Sequence, residues 1–160
     1  MLTPYDQLPD TTRIWIYQSN ISFSDTDIPK LRTTLQSFAK NWVSHNKMLR
    51  TYADVYHNYF IVLMVDESLT GASGCSIDSS VRFMQQLQAE YKVNLFDRMC
   101  FAYLKNGKVK TASREEFSSL YEQKRITDDT LVFNNLVNTK RDFEQKWQIK
   151  LADSWHKRMV

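Results

Sequence analysis

The sequence predicts an α+β fold: a mostly antiparallel sheet with helices on one face. Three observations carry this. Apolar periodicity runs strand, helix, strand, strand, helix, strand through residue 105, which is the order of a split βαβ (ferredoxin-like) arrangement. An Asn106-Gly107 pair between two apolar segments marks a hairpin, because type I′ turns need positive φ at both central residues. All three prolines lie before residue 30 and no low-complexity linker follows, so the 160 residues read as a single domain, 1–160.

The elements follow in chain order. Ile14 to Tyr17 (IWIY) is β-branched and aromatic, the composition of a strand. Its alternation puts Ile14 and Ile16 on one face and Trp15 and Tyr17 on the other. Asp27 is placed to cap a helix with Pro29 in its first turn. Leu31, Leu35, Phe38, Trp42 and Val43 then recur at helical spacing, which predicts a helix ending near His45-Asn46. Leu49 to His57 and Tyr59 to Val65 read as two strands joined by a reversal at His57-Asn58. The second of these is apolar without alternation, so it is expected at the centre with both faces covered.

Ile77, Val81, Met84, Leu87 and Tyr91 form the stripe of a second helix. Met99 to Leu104 and Lys108 to Ala112 flank the Asn-Gly turn. Ser113 and Glu116 have the spacing of a capping box, with Phe117, Leu120 and Tyr121 on the buried side of the helix they open. Leu131 to Phe133 is a short strand. Thr139 and Asp142 resemble another capping pair, for a helix through Trp147. The tail LADSWHKRMV adds an apolar-aromatic cluster, with Trp155 expected to anchor it. The last third would thus add a hairpin and helices to the sheet.

Composition bounds the function. The chain is 42% hydrophobic and 13% aromatic, with a formal charge of only +3, so it has the material for a packed core and no strong polyanion-binding bias. Nucleic acid is not an expected partner. The longest apolar run, Tyr59 to Val65, is far shorter than the ~20 residues of a membrane span, so no membrane association is expected. The N-terminal residues lack the basic and apolar regions of a signal peptide, and the two cysteines, Cys75 and Cys100, do not form a disulfide framework. A reducing, cytoplasmic location is expected.

Two of the three glycines, Gly71 and Gly74, fall in TGASGCSIDSS, residues 70–80, between a buried strand and a helix. Backbone N–H groups at a helix start lack intrahelical partners and favour anions. Ser73, Gly74, Cys75, Ser76 and Ser79 are therefore candidate binding residues. The alternative is a plain helix start, with Ser76 as N-cap and Asp78 complementing the dipole. A P-loop is excluded, because no GxxxxGK[ST] is present. Cys75, near a helix start, is a weaker candidate nucleophile, with His156 a weak candidate partner. No CxxC, HxxxH or HExxH spacing occurs, so no metal and no cofactor are expected. FNNLVNT (133–139) contains Asn134, Asn135 and Asn138, which suit turns and can also bind a polar ligand.

RIWIYQSN (13–20), SGCSIDSSVRF (73–83), VFNNLVNT (132–139) and DSWHKR (153–158) together resemble a family of uncharacterised small bacterial proteins of about this length, often labelled ABC-transporter ATPases. The absent Walker A loop and the short chain do not fit that label. The resemblance implies no catalytic residue. It directs attention to the GCSIDSS loop, the NNLVN turn and the SWH tail.

The leading expectation is a non-catalytic domain binding a small anionic or polar ligand at the 73–79 loop, with Asn134, Asn135 and His156 completing the pocket. The second is a protein-interaction module, possible as a homodimer, with Trp15, Tyr17 or Trp155 as exposed anchors. The third is a cysteine enzyme built on Cys75.

Overall fold

A computed structural model describes all 160 residues. The first half contains β1 (Arg13–Gln18), α1 (Ile28–Lys40), β2 (Val43–Ser44), β3 (Lys47–Met48), β4 (Arg50–Tyr56), β5 (Phe60–Asp66) and α2 (Gly74–Tyr91). The second half contains β6 (Cys100–Lys105), β7 (Lys108–Ser113), α3 (Arg114–Glu122), β8 (Leu131–Phe133), α4 (Lys140–Lys146) and β9 (Gln148–Lys150). Two 3-10 turns, Leu151–Asp153 and Trp155–Met159, finish the chain. The fold is α+β with antiparallel sheets.

The first sheet has the order β1-β5-β4, with β5 antiparallel to both neighbours. β1 and β4 are therefore parallel to each other, joined through α1 and separated by β5. That is one split βαβ unit. The fourth strand of a ferredoxin-like sheet would be β6, beside β1. Instead β6 belongs to a second antiparallel sheet of order β7-β6-β8-β9. The edge of β1 is met by the segment after β8: Ile14 N–H donates to Asn138 O at 3.1 Å, and Arg13 bridges to Thr139.

The apolar run of β5 explains why two sheets stack. All seven strand residues are buried, six of them apolar and the last, Asp66, a carboxylate. Ile61, Leu63 and Val65 face α1 and α2, packing with Leu31, Leu35, Met84 and Leu87. Phe60, Val62 and Met64 point the other way and need a second cover. The second sheet supplies it, through Ala102 and Phe133, with Phe143 and Trp147. Phe101, Tyr103 and Val132, on the opposite face of that sheet, pack under Phe117 of α3 and Leu151. The first sheet thus carries α1 and α2 on its outer face, and the second carries α3. The alternation in β1 matches expectation: Ile14 and Ile16 enter the core between the sheets, Trp15 and Tyr17 the core under the helices.

Three hairpins turn on paired left-handed residues: His45-Asn46, His57-Asn58 and Asn106-Gly107, all at positive φ. This is the geometry that matches the twist of two-residue hairpins. The first corrects the expected length of α1, which stops at Lys40. Trp42 and Val43 keep helical spacing by coincidence. Trp42 is buried in the core under the helices, and its indole N–H donates to Ser76 O at 2.9 Å, in the first turn of α2. Asp27 does occupy the N-cap position of α1, but its side chain makes no capping bond. The Ser113–Glu116 capping box forms as expected, and Thr139 caps α4 through Asp142 N–H. No helix is long and apolar enough to cross a membrane.

Candidate functional site

The 73–79 loop is a capped helix start. Ser73, not Ser76, is the N-cap of α2; its Oγ accepts from Ser76 N–H at 3.1 Å. Asp78 lies beyond the first turn. The hydroxyls are engaged by the chain itself. Ser76 Oγ donates to Val43 O at 2.7 Å, Ser79 Oγ to Ser76 O at 2.8 Å, and Ser73 and Ser76 share a 2.8 Å bond. A carboxylate already sits beside the loop: Glu67 Oε2 accepts from Ala72 N–H at 2.9 Å. Negative charge there opposes an anionic ligand. Gly74 is the first residue of α2, and a Cβ on it would meet nothing within 4 Å. No close approach requires a glycine at that position.

A cleft of about 410 Å³ opens elsewhere, where the end of β1 meets the start of β6. Asn135 and His156 line it, as do Gln18, Cys100, Phe96 and Trp155. None of Ser73, Gly74, Cys75, Ser76 and Ser79 does. The structure therefore brings two of the expected site residues together and leaves the loop apart from them. Asn134 stands behind the wall. Its Oδ1 accepts from Trp155 Nε1–H at 3.0 Å and from Leu136 N–H at 3.1 Å, which fixes both neighbours.

The amides lining the cleft are ordered by a tryptophan. Trp147 Nε1–H donates to Asn135 Oδ1 at 2.9 Å. An indole N–H can only donate, so this assigns the oxygen of Asn135. Asn135 Nδ2 then donates to Gln18 Oε1 at 2.9 Å, and Gln18 Nε2 donates to Cys100 O at 2.9 Å. Each NH₂ has two hydrogens and gives one to this relay. Asn135 keeps one N–H outside the relay, while the Gln18 side chain also interacts with the Cys100 thiol. The three elements involved come from residues 18, 100 and 135, so their meeting depends on the stacking of the two sheets.

His156 completes the wall. It is 1% exposed, stacked on Trp155 at 3.8 Å and edged by Phe101 at 5.3 Å. Its Nδ1 is 2.6 Å from Ser154 Oγ, while Nε2 makes no hydrogen bond with the protein. Burial pushes its pKa down to about 4, so the ring is neutral at neutral pH. At the cleft's mouth Phe96 and Leu136 are exposed, at 40% and 68%. Arg98, also at the lining, makes no ion pair, unlike eight other basic residues.

Cysteine chemistry finds little support in this arrangement. Cys75 is exposed and does not line the cleft beside His156. Cys100 does line it, but burial, with Asp97 adding to the effect, pushes its thiol pKa up. A thiol with a raised pKa stays protonated at neutral pH. No group of three or more His, Cys, Asp or Glu side chains is placed to hold a metal ion. The aromatic residues expected as exposed anchors, Trp15, Tyr17 and Trp155, are half-buried. Trp15 packs on Trp42 at 5.7 Å and Tyr17 on Phe96 at 5.7 Å.

Gln18, Phe96, Arg98 and Cys100 escaped the sequence reading as site residues. Nothing local marks them: Gln18 ends a strand and Cys100 begins one, 82 positions apart. Comparison with known proteins returns no match, whether to a family model, a curated protein or a solved structure.

Proposed function

We propose that the protein is a non-catalytic domain that binds a small polar or anionic ligand in the cleft between β1 and β6. One observation carries the reading. A neutral imidazole whose Nε2 makes no hydrogen bond with the protein lines a cleft together with the oriented amides of Gln18 and Asn135. Apolar walls with a few oriented polar groups are the usual composition of a small-molecule site. Phe96, Phe101 and Leu136 would pack on the ligand's body, and Arg98 would favour an acidic group at the mouth.

A thermal-shift panel of small polar and anionic metabolites tests this. The wild-type protein gains melting temperature with at least one compound. Asn135→Leu and His156→Phe lose that gain while keeping a native circular dichroism spectrum. Ser76→Ala combined with Ser79→Ala retains it. A panel without any shift, or a shift lost only in the serine variant, contradicts the reading.

A further inference from the structure

A separate concavity, of about 540 Å³, lies on the outer face of the second sheet. Tyr103, Lys105, Lys108, Lys110, Leu120 and Arg125 line it. Strand register creates the cluster: Lys105 lies opposite Lys108, and Lys110 lies opposite Tyr103, two positions along. All four side chains are on one face. Like charges directly across a strand pair are destabilising. Arg125 enters from a different element. The chain reverses after α3, with Lys124 at φ 60° and Arg125 N–H donating to Leu120 O at 2.9 Å.

No ion pair within the chain neutralises the cluster. The eight ion pairs of the protein include none of Lys105, Lys108, Lys110 and Arg125. Glu116 is the acid whose field reaches Tyr103, and its Oε1 is engaged by Ser113 N–H. Lysines often guard exposed edge strands against pairing with other chains. That accounts for Lys108 and Lys110, since β7 is an edge. It does not account for Lys105 on the inner strand β6, or for Arg125.

We propose that this concavity binds a small phosphate-bearing molecule with two or more negative charges. Three flexible ammonium groups and one guanidinium fork match the charge of a diphosphate group. Leu120 offers an apolar contact beside them. The site is independent of the cleft between β1 and β6.

The test is a ¹H–¹⁵N NMR titration of the full chain with pyrophosphate at fixed low ionic strength. Saturable shifts are expected at residues 103–110 and 120–125, with the Gln18 side-chain amide unmoved. Lys105→Gln combined with Arg125→Gln weakens binding at least tenfold, as does Lys108→Gln combined with Lys110→Gln. Lys150→Gln, which removes a surface lysine from outside the patch, leaves binding unchanged. Added salt weakens binding, since exposed charges are screened. Three results overturn the proposal: no saturable shift up to millimolar pyrophosphate, binding unaffected by either double variant, or tighter binding of single-stranded oligonucleotide or anionic vesicles than of pyrophosphate.

Discussion

A buried histidine has consequences that can be measured without a ligand. Folding holds the His156 pKa at about 4, below its ordinary value of 6.5. Between these values the unfolded chain binds a proton that the native ring refuses, so stability rises with pH across that interval. The contribution is fully present above about pH 6.5 and is lost as pH falls toward 4. His57 is also shifted down by burial and acts in the same direction. The comparison must therefore be made against a variant that keeps His57. The urea midpoint of the wild type should fall more between pH 7 and pH 4.5 than that of His156→Phe. Equal falls would show that His156 is not held neutral. At this scale the sequence was legible in part. Asn135 is marked by its asparagine-rich turn and His156 by the aromatic tail around Trp155. Gln18 carried no such mark, because its role comes from an indole N–H more than a hundred residues away.

Turns and caps are the most legible elements, because their chemistry is local. Asn106-Gly107 and the Ser113–Glu116 box require only neighbours in sequence, and both form. Gly107 sits at φ +75°, where a side chain is strained. Gly107→Ala should lower stability by about 1 kcal/mol. Gly74 contrasts with it, since α2 begins there with open space around the position. Gly74→Ala should be neutral or stabilising by up to about 1 kcal/mol, through the unfolded state. Denaturant midpoints of the two variants check the pair. A large loss at Gly74 would mean that the loop has a backbone requirement not evident in its geometry. The end of α1 departs from the expected one for a physical reason. Helical spacing at Trp42 and Val43 outlasted the helix, and His45-Asn46 lacks the glycine that usually announces a hairpin turn.

The whole molecule is two sheets back to back, with α1 and α2 outside the first and α3 outside the second. The unbroken apolar run from Tyr59 to Val65 already implied two covered faces. It did not say that a second sheet would provide one of them. That depends on where β6 pairs, a non-local choice that alternation cannot reveal. Phe60 is fully buried between the sheets, in contact with Phe133 and Trp147 at ring separations of 4.7 and 5.0 Å. Phe60→Ala should cost about 3–5 kcal/mol in chemical denaturation. A loss below 1 kcal/mol would contradict the stacked arrangement. The same stacking builds the cleft, since it brings residues 18, 100 and 135 into one relay.

That relay offers the most direct test of ligand binding. The side-chain NH₂ groups of Gln18 and Asn135 give resolved ¹H–¹⁵N cross-peaks that can be followed during titration with a compound that raises the melting temperature. Binding in the cleft predicts that these two side-chain signals move and saturate together, while the backbone amides of Gly74 to Ile77 stay in place. Movement of the loop amides with unchanged Gln18 and Asn135 signals would contradict the account.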